Sequence, residues 1–363
     1  MHHEDEVKRM SIDRIATIGP ASNSKKILTE LIEKGMTIAR LNFSHGSHES
    51  HRNIIETIRL IEKETGASIK ILGDLQGPKI RLGEIEGDAI LLETGETFAL
   101  SVHPIKGNKT EASVDYKGLV QDIKKADRIL INDGAVELQV LDVDQEKVMT
   151  KVTSGGEIAS HKGVNLPGVA TSLPAITEKD KKDIEFLVKE GVDYIACSFV
   201  RKPAHLQDVR DFIKGLAGKS PQLIAKIETI EAIENFSDIV KEADGIMIAR
   251  GDLGVELPYQ WIPVLQKAML AECNRLTTFV ITATQMLQSM IEHPLPTRAE
   301  VTDVFQAVLD GTNAVMLSGE SAAGKYPAES METLKTVSEF ADSVKKDAPF
   351  AIGDMEKLMK EYQ

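Results

Sequence analysis

The run LIAKIETIEAIENFSDIVKEADGIMIARGD, residues 223–252, sets the architecture. It begins with a short β-branched stretch, Leu223–Glu228, then places Ile230, Ile233, Phe236 and Val240 at helical spacing. A second apolar run, Ile246–Arg250, follows, so the segment reads as strand, helix, strand. The pattern repeats outward in both directions, with candidate strands at Arg14–Ile18, Ile38–Phe43, Ile69–Leu75, Tyr194–Val200, Phe279–Ala283 and Ala314–Leu317. Between them Leu28 and Leu31, Ile54 and Ile58, and Val304 and Val308 mark further helical faces. Eight strands alternating with helices predict an α/β protein closed as a (β/α)8 TIM barrel. The competing open, doubly wound sheet lacks its glycine-rich opening turn, since Gly19-Pro-Ala-Ser22 follows the first strand.

One interval breaks the rhythm. From Ile69 to Tyr194, strand start to strand start, there are 125 residues, about a hundred more than a βα unit needs. Inside it stand alternating patches at Ala89–Leu92, Phe98–Val102, Ile129–Ile131, Val136–Val143 and Val148–Val152, separated by turn residues such as Asn132-Asp133-Gly134. The expectation is a small all-β cap domain inserted after the third barrel strand. The chain then divides into 1–76 (barrel, first part), 77–173 (cap), 174–345 (barrel, second part) and 346–363 (tail).

Composition narrows the class. Of 363 residues 42% are hydrophobic, and 43 Lys+Arg stand against 56 Asp+Glu, for a net charge of −13. Such a balance disfavours nucleic acid and membrane surfaces as partners, yet leaves room for a phosphate-bearing small substrate that feels only local charge. Two cysteines, Cys197 and Cys273, make no disulfide framework, and no apolar segment resembles a signal or a membrane span, so a cytoplasmic location is expected.

In such barrels reactive groups collect where strands end. Six of the eight strand ends carry polar or charged residues, among them Arg40, Asp74, Lys226 with Glu228, Arg250 with Asp252, Thr284, and Ser318 with Glu320. Lys226 and Glu228, two apart, share one face of their strand. Glu228 and Asp252, on successive strands, suit a Mg2+ or Mn2+ ion with positions left open for substrate oxygens. Lys226 and Arg40 then face anionic oxygens, and the backbone at Gly251 and Asp252 can accept a carboxylate or phosphate. Three other features read as structural. His45, His48 and His51 straddle a helix start, the Gly319–Lys325 glycine loop lacks the P-loop Ser/Thr because Tyr326 stands there, and both cysteines are expected to be buried.

Taken in order, Arg40-Leu-Asn-Phe-Ser-His-Gly46, Gly163-Val-Asn-Leu-Pro-Gly168, Ala225-Lys-Ile-Glu228, Ile248-Ala-Arg-Gly-Asp-Leu-Gly254, Ala283-Thr-Gln-Met-Leu287, Pro296-Thr-Arg-Ala-Glu300 and Met316-Leu-Ser-Gly-Glu320 resemble the pyruvate kinase family from about Arg14 to Val344. The resemblance implies phosphoryl transfer from phosphoenolpyruvate to ADP, giving ATP and pyruvate, the last step of glycolysis. It implies Mg2+ (or Mn2+) on Glu228 and Asp252, Lys226 and Arg40 on the transferring phosphoryl group, and Gly251, Asp252 and Thr284 on the substrate carboxylate. Asn42, Ser44, His45, Arg81, Lys162 and Asp133 match nucleotide-side positions, and the final proton is expected near Thr284, Ser318 and Glu320. Homo-oligomers through barrel surfaces are expected as well.

Two departures from the family pattern carry expectations of their own. Many relatives have Glu where Lys79 stands and hold K+ at positions matching Asn42, Ser44, Asp74 and the Leu75 carbonyl. The Lys79 ammonium is expected near that potassium site, making activity K+-independent. The family's C-terminal α/β domain has no counterpart here, so allosteric control through it is expected to be absent, and the apolar stripe Phe350, Ile352, Met355, Leu358 and Met359 could dock on the barrel or pair with another subunit. Two alternatives stand beside this reading: a Mg2+-dependent barrel lyase or aldolase acting on 2-oxo acids, and a non-catalytic or regulatory paralogue that keeps ligand binding.

Overall fold

Apolar runs bounded by polar residues become strands because a strand covered on both faces must be apolar throughout. In the computed structural model, which describes residues 12–348, 350–354 and 359–360, eight runs do so. They are β1 (Asp13–Ile18), β2 (Ile38–Asn42) and β3 (Lys70–Asp74), then, beyond nine strands of an insertion, β13 (Tyr194–Cys197), β14 (Gln222–Ile227), β15 (Gly245–Ala249), β16 (Phe279–Ala283) and β17 (Ala314–Leu317). They close as a barrel in the order β1-β17-β16-β15-β14-β13-β3-β2. β13 and β15 are buried at every residue, and the pairings are parallel, with Thr17 opposite Arg40 and Lys226 opposite Met247. The barrel and its insertion after the third strand match the expectation from the sequence.

The helices between strands start and stop where local chemistry dictates. Thr177 caps Glu178–Glu190 in a reciprocal box with Asp180, and Gly191 closes it in the left-handed conformation. Thr297 and Glu300 form the same box at Arg298–Leu309. The face Ile230, Ile233, Phe236 and Val240 is not one continuous helix: it breaks at Asn235 into Ile230–Glu234 and Phe236–Glu242. There the Asn235 amide donates to the carbonyls of Arg201 and Glu231, in competition with the helical backbone.

The insertion carries β4 (Ile80–Arg81), β5 (Ile90–Leu92), β6 (Thr97–Ser101), β7 (Glu111–Ser113), β8 (Arg128–Ile131), β9 (Val136–Val143), β10 (Lys147–Ser154), β11 (Gly156–Ile158) and β12 (Gly163–Asn165). Seven form one sheet in the order β4-β12-β8-β9-β10-β6-β7, and β11 pairs with β5. The sheet is mixed, since β6 and β7 run parallel, and a single helical turn, Leu119–Asp122, lies beside it. Its own core gathers Phe98, Leu100, Ile129, Ile131, Leu138 and Val148. At the entrance to the insertion, the Asp180 carboxylate that closes a capping box also accepts the Gly77 N–H at 3.0 Å.

The chain groups into two compact units. One comprises Glu49–Leu72, Cys273 onward and the described part of Met1–Leu41; the other comprises Asn42–His48 and Gly73–Glu272. In the first unit Phe305 meets Phe340 and Phe350 with ring centroids 6.2 Å apart in each pair, so the start of the expected tail stripe packs on the helix Arg298–Leu309. Ile352 and Met359 are exposed, and Met355 and Leu358 lie outside the described residues. Among the described residues no helix is long and apolar enough to cross a membrane.

Candidate active site

Lys226 sits near the end of β14 among buried oxygens. Its Nζ is 2.6 Å from Ser198 Oγ, 3.1 Å from Asp74 Oδ1 and 3.0 Å from Glu228 Oε1. An ammonium has three donors, and three oxygens surround this one. Glu228, just past the strand, takes the Phe199 N–H on its other oxygen at 2.7 Å, and Ser198 Oγ donates to the Leu75 carbonyl. Phe199 stands at φ +55°, a conformation uncommon for a bulky residue, and it is this turn that aims its N–H at Glu228.

Burial pushes the Glu228 carboxyl above its ordinary value; Lys226 opposes the shift and the Asp252 carboxylate adds to it. Two neighbouring carboxylates of like charge suit a cation. Among the described residues no group of three or more His, Cys, Asp or Glu could hold a metal on its own. A pair of carboxylates without a third fits a hard divalent ion that keeps open positions for water and substrate oxygens, so the donor set suits Mg2+.

Asp252 lies in the first turn of the short helix Arg250–Glu256. Gly251 and Asp252 therefore stand where backbone N–H groups point toward the helix's N-terminal end. Arg250 is buried, and its guanidinium donates to Gln266. Lys79 reaches across with its Nζ 3.6 Å from Asp252 Oδ1 and 3.7 Å from Asp133 Oδ1. Asp74, one of the positions expected to hold potassium, pairs with Lys226. The stem of Lys79 passes over Gly163, where a Cβ would lie 2.8 Å from Lys79 Cε.

The remaining nucleotide-side positions fall on loops and sheet ends. Asn42 Oδ1 accepts the Ser44 N–H, and His45 is exposed in the same turn. Arg81, on β4, donates to the His161 carbonyl, and its own N–H reaches Asp115. Lys162 is exposed just before β12. Asp133 belongs to a turn in which Asn132, Asp133 and Gly134 all have positive φ, which leaves its side chain outward.

In the other unit, Arg40 is oriented by Thr17, whose Oγ accepts its Nη1 at 2.8 Å. Thr284 follows β16 at φ +65°, and for a β-branched residue that is strain of the kind stored at functional positions. Glu320 is fully buried with both oxygens taken, one by the Leu287 N–H and one by that of Ser318. It braces the loop, and the Ser318 hydroxyl, buried with no protein partner, is the freer group of the two.

Sequence reasoning missed Ser198 as a partner of Lys226, although it stands at the end of β13, where the strand-end rule applies. It also missed Glu256, which is buried and held by the Asn165 amide at 3.3 Å. Burial raises the Glu256 carboxyl to about 7, against the hydrogen bonds from Asn165 and the Ile230 N–H. From the unperturbed 4.5 up to about 7 the unfolded chain releases this proton while the folded one keeps it, so stability is present below that window and lost across it. Relative to the parent, Glu256→Gln is expected to gain up to about 3 kcal/mol between pH 4.5 and 7.5. Urea unfolding at both pH values without divalent ions checks this; a pH-independent difference would contradict it.

His48 stacks on Phe186 at 4.5 Å and pairs with Asp183. Lys325 of the glycine loop pairs with Glu292. Both cysteines are buried, and burial pushes the Cys197 thiol up to about 12.

The chain is similar to known proteins along most of its length. A family model described as "pyruvate kinase, barrel domain" matches residues 7–331. The pyruvate kinase of Staphylococcus haemolyticus is 45% identical over 348 residues, 95% of this chain and 59% of the relative. That of Staphylococcus saprophyticus is 44% identical over the same share. The chain thus spans 59% of the length of these curated relatives. The crystal structure of a pyruvate kinase from Cryptosporidium parvum superposes with a TM-score of 0.89 at 41% identity, covering 92% of this chain and 70% of that one. A closed barrel with an inserted sheet, a lysine–carboxylate cluster at its strand ends and a family model spanning most of the residues together mean that this chain belongs to the pyruvate kinase family.

Proposed function

We propose that the chain transfers the phosphoryl group of phosphoenolpyruvate to ADP, giving ATP and pyruvate. The observation that carries this reading is the buried Lys226 ammonium held among Asp74, Ser198 and Glu228, with Asp252 as the second carboxylate neighbouring Glu228. Phosphoryl transfer asks chiefly for positioned positive charge, and this cluster supplies it at a strand end. Lys226 meets a phosphoryl oxygen by exchanging one of its protein oxygens for it, and Arg40, oriented by Thr17, grips the phosphate. Gly251 and Asp252 backbone N–H groups and the Thr284 hydroxyl orient the carboxylate. Asn42, Ser44, His45, Arg81, Lys162 and Asp133 serve the nucleotide. Glu228 and Asp252 would hold a divalent ion, which would supply positive charge against the negative charge of the reacting oxygens.

Pyruvate formation from phosphoenolpyruvate, measured with and without ADP and Mg2+, tests the reading. Turnover that needs both is the expected result. Cleavage of another 2-oxo acid without ADP would favour a barrel lyase, and ligand binding without turnover a non-catalytic relative.

Activity is further proposed to be independent of K+, because the Lys79 ammonium supplies a fixed positive charge beside Asp252 and Asp133. At matched ionic strength, replacing KCl by tetramethylammonium chloride is expected to change the rate less than about twofold. Lys79→Glu, which gathers three carboxylates at one place, is expected to lower the rate without K+ by on the order of a hundredfold and to regain part of it with K+. Strong K+ stimulation of the parent protein sinks the idea.

A further inference from the structure

Glu256 has no part in the chemistry above, yet three segments converge on its carboxylate. The Asn165 amide donates to it from the end of β12, the last strand of the insertion. Gly168, in the segment leaving the insertion, and Ile230, two residues beyond Glu228, donate their backbone N–H groups. Asn165 is itself buried, with no protein partner on its Oδ1, so the contact with Glu256 orients its amide. Both residues lie in segments that mark the family resemblance or directly continue one, the run Gly163–Gly168 and the helix Arg250–Glu256.

Position on the helix gives the contact its meaning. Asp252, Val255 and Glu256 stand at i, i+3 and i+4, one face of a single turn. The insertion meets that face at three places. Lys79 bridges Asp133 and Asp252, a Cβ on Gly134 would lie 3.8 Å from Val255 Cγ1, and Asn165 holds Glu256.

We infer that Glu256 is a positioning residue, and that the Asn165–Glu256 clasp sets the helix carrying Asp252 in register with the exit strand of the insertion. This rests on the reading of Glu228 and Asp252 as the divalent-ion ligands. Outer partners of metal ligands commonly govern affinity by tenfold or more, and here the partner acts through one helical turn.

The test is Mn2+ binding, followed by electron paramagnetic resonance of free Mn2+, on the full chain without substrates. Asn165→Ala is expected to raise the dissociation constant about tenfold while the melting temperature stays within a few degrees of the parent. Glu256→Ala should do the same, and the double variant should be no weaker than the worse single one, because both remove one contact. Additive losses, or parent-like affinity in Asn165→Ala, overturn the clasp. If Glu256→Ala fails to fold, Asn165→Ala alone decides. Failure of the parent protein to bind Mn2+ removes the metal reading and the clasp with it. Parent-like affinity in Asn165→Ala removes the clasp only.

Discussion

Lys226→Met is expected to lower the rate of pyruvate formation by about a thousandfold or more, since removing one preorganised charge from a transition-state site already costs on the order of a hundred- to a thousandfold. Methionine keeps the length of the side chain and removes the charge, so the loss reports electrostatics rather than packing. The change also leaves Asp74 and Glu228, both buried, without the cation they share. Breaking a buried pair in this way commonly costs about 3–5 kcal/mol. The variant is therefore expected to melt at lower temperature in the absence of divalent ions. Mn2+ should recover part of that loss, because it restores positive charge at Glu228. Coupled assay and thermal melts with and without Mn2+ check both halves; a variant that keeps full activity refutes the assignment.

Asp252→Asn is expected to behave in the opposite way toward the metal. Its side chain is partly exposed and pairs only loosely with Lys79, so folding should be little affected. Losing one of two carboxylate ligands should weaken Mn2+ binding at least about a hundredfold and lower activity by a similar or larger factor. The two variants thus separate the two roles. With Lys226→Met the metal is retained and turnover is lost; with Asp252→Asn both are lost. An Asp252→Asn protein that binds Mn2+ as tightly as the parent would remove Asp252 from the ligand set.

Much of the framework was legible in the residues because buried parallel strands are apolar from end to end and contrast with what flanks them. The candidate strand Phe279–Ala283 coincides with β16, and Ala314–Leu317 with β17. Inside the insertion only the longer patches could be read. β4, β7, β11 and β12, with two or three residues each, left no patch to read, although the equally short β5 was caught within Ala89–Leu92. The break at Asn235 was hidden for a different reason. Helical periodicity continues through it, and only the Arg201 carbonyl, brought near by folding, draws the Asn235 amide away.

The candidate site divides along the same line. Residue types and strand ends pointed to Lys226, Glu228 and Asp252 because charges at the rim of a barrel need a purpose or a partner. The partners themselves depended on folding: Asp74, Ser198 and Lys226 come from β3, the end of β13 and β14, and meet only because the strand order places β3, β13 and β14 side by side. Lys79 shows the sharpest difference. Its identity announced a positive charge, but the sequence could not say which carboxylates it would join, and the turn at Asp133 and the helix at Asp252 decided that.

By itself, then, the sequence determined the barrel, the inserted sheet and the chemical kind of the site, since periodicity and side-chain chemistry are local properties of a chain. Tertiary structure alone decided which charges neutralise one another and that Asn165 finds Glu256 across 91 residues. Pairing of that kind follows from where strands and turns bring distant atoms within hydrogen-bond range, and local pattern holds no record of it.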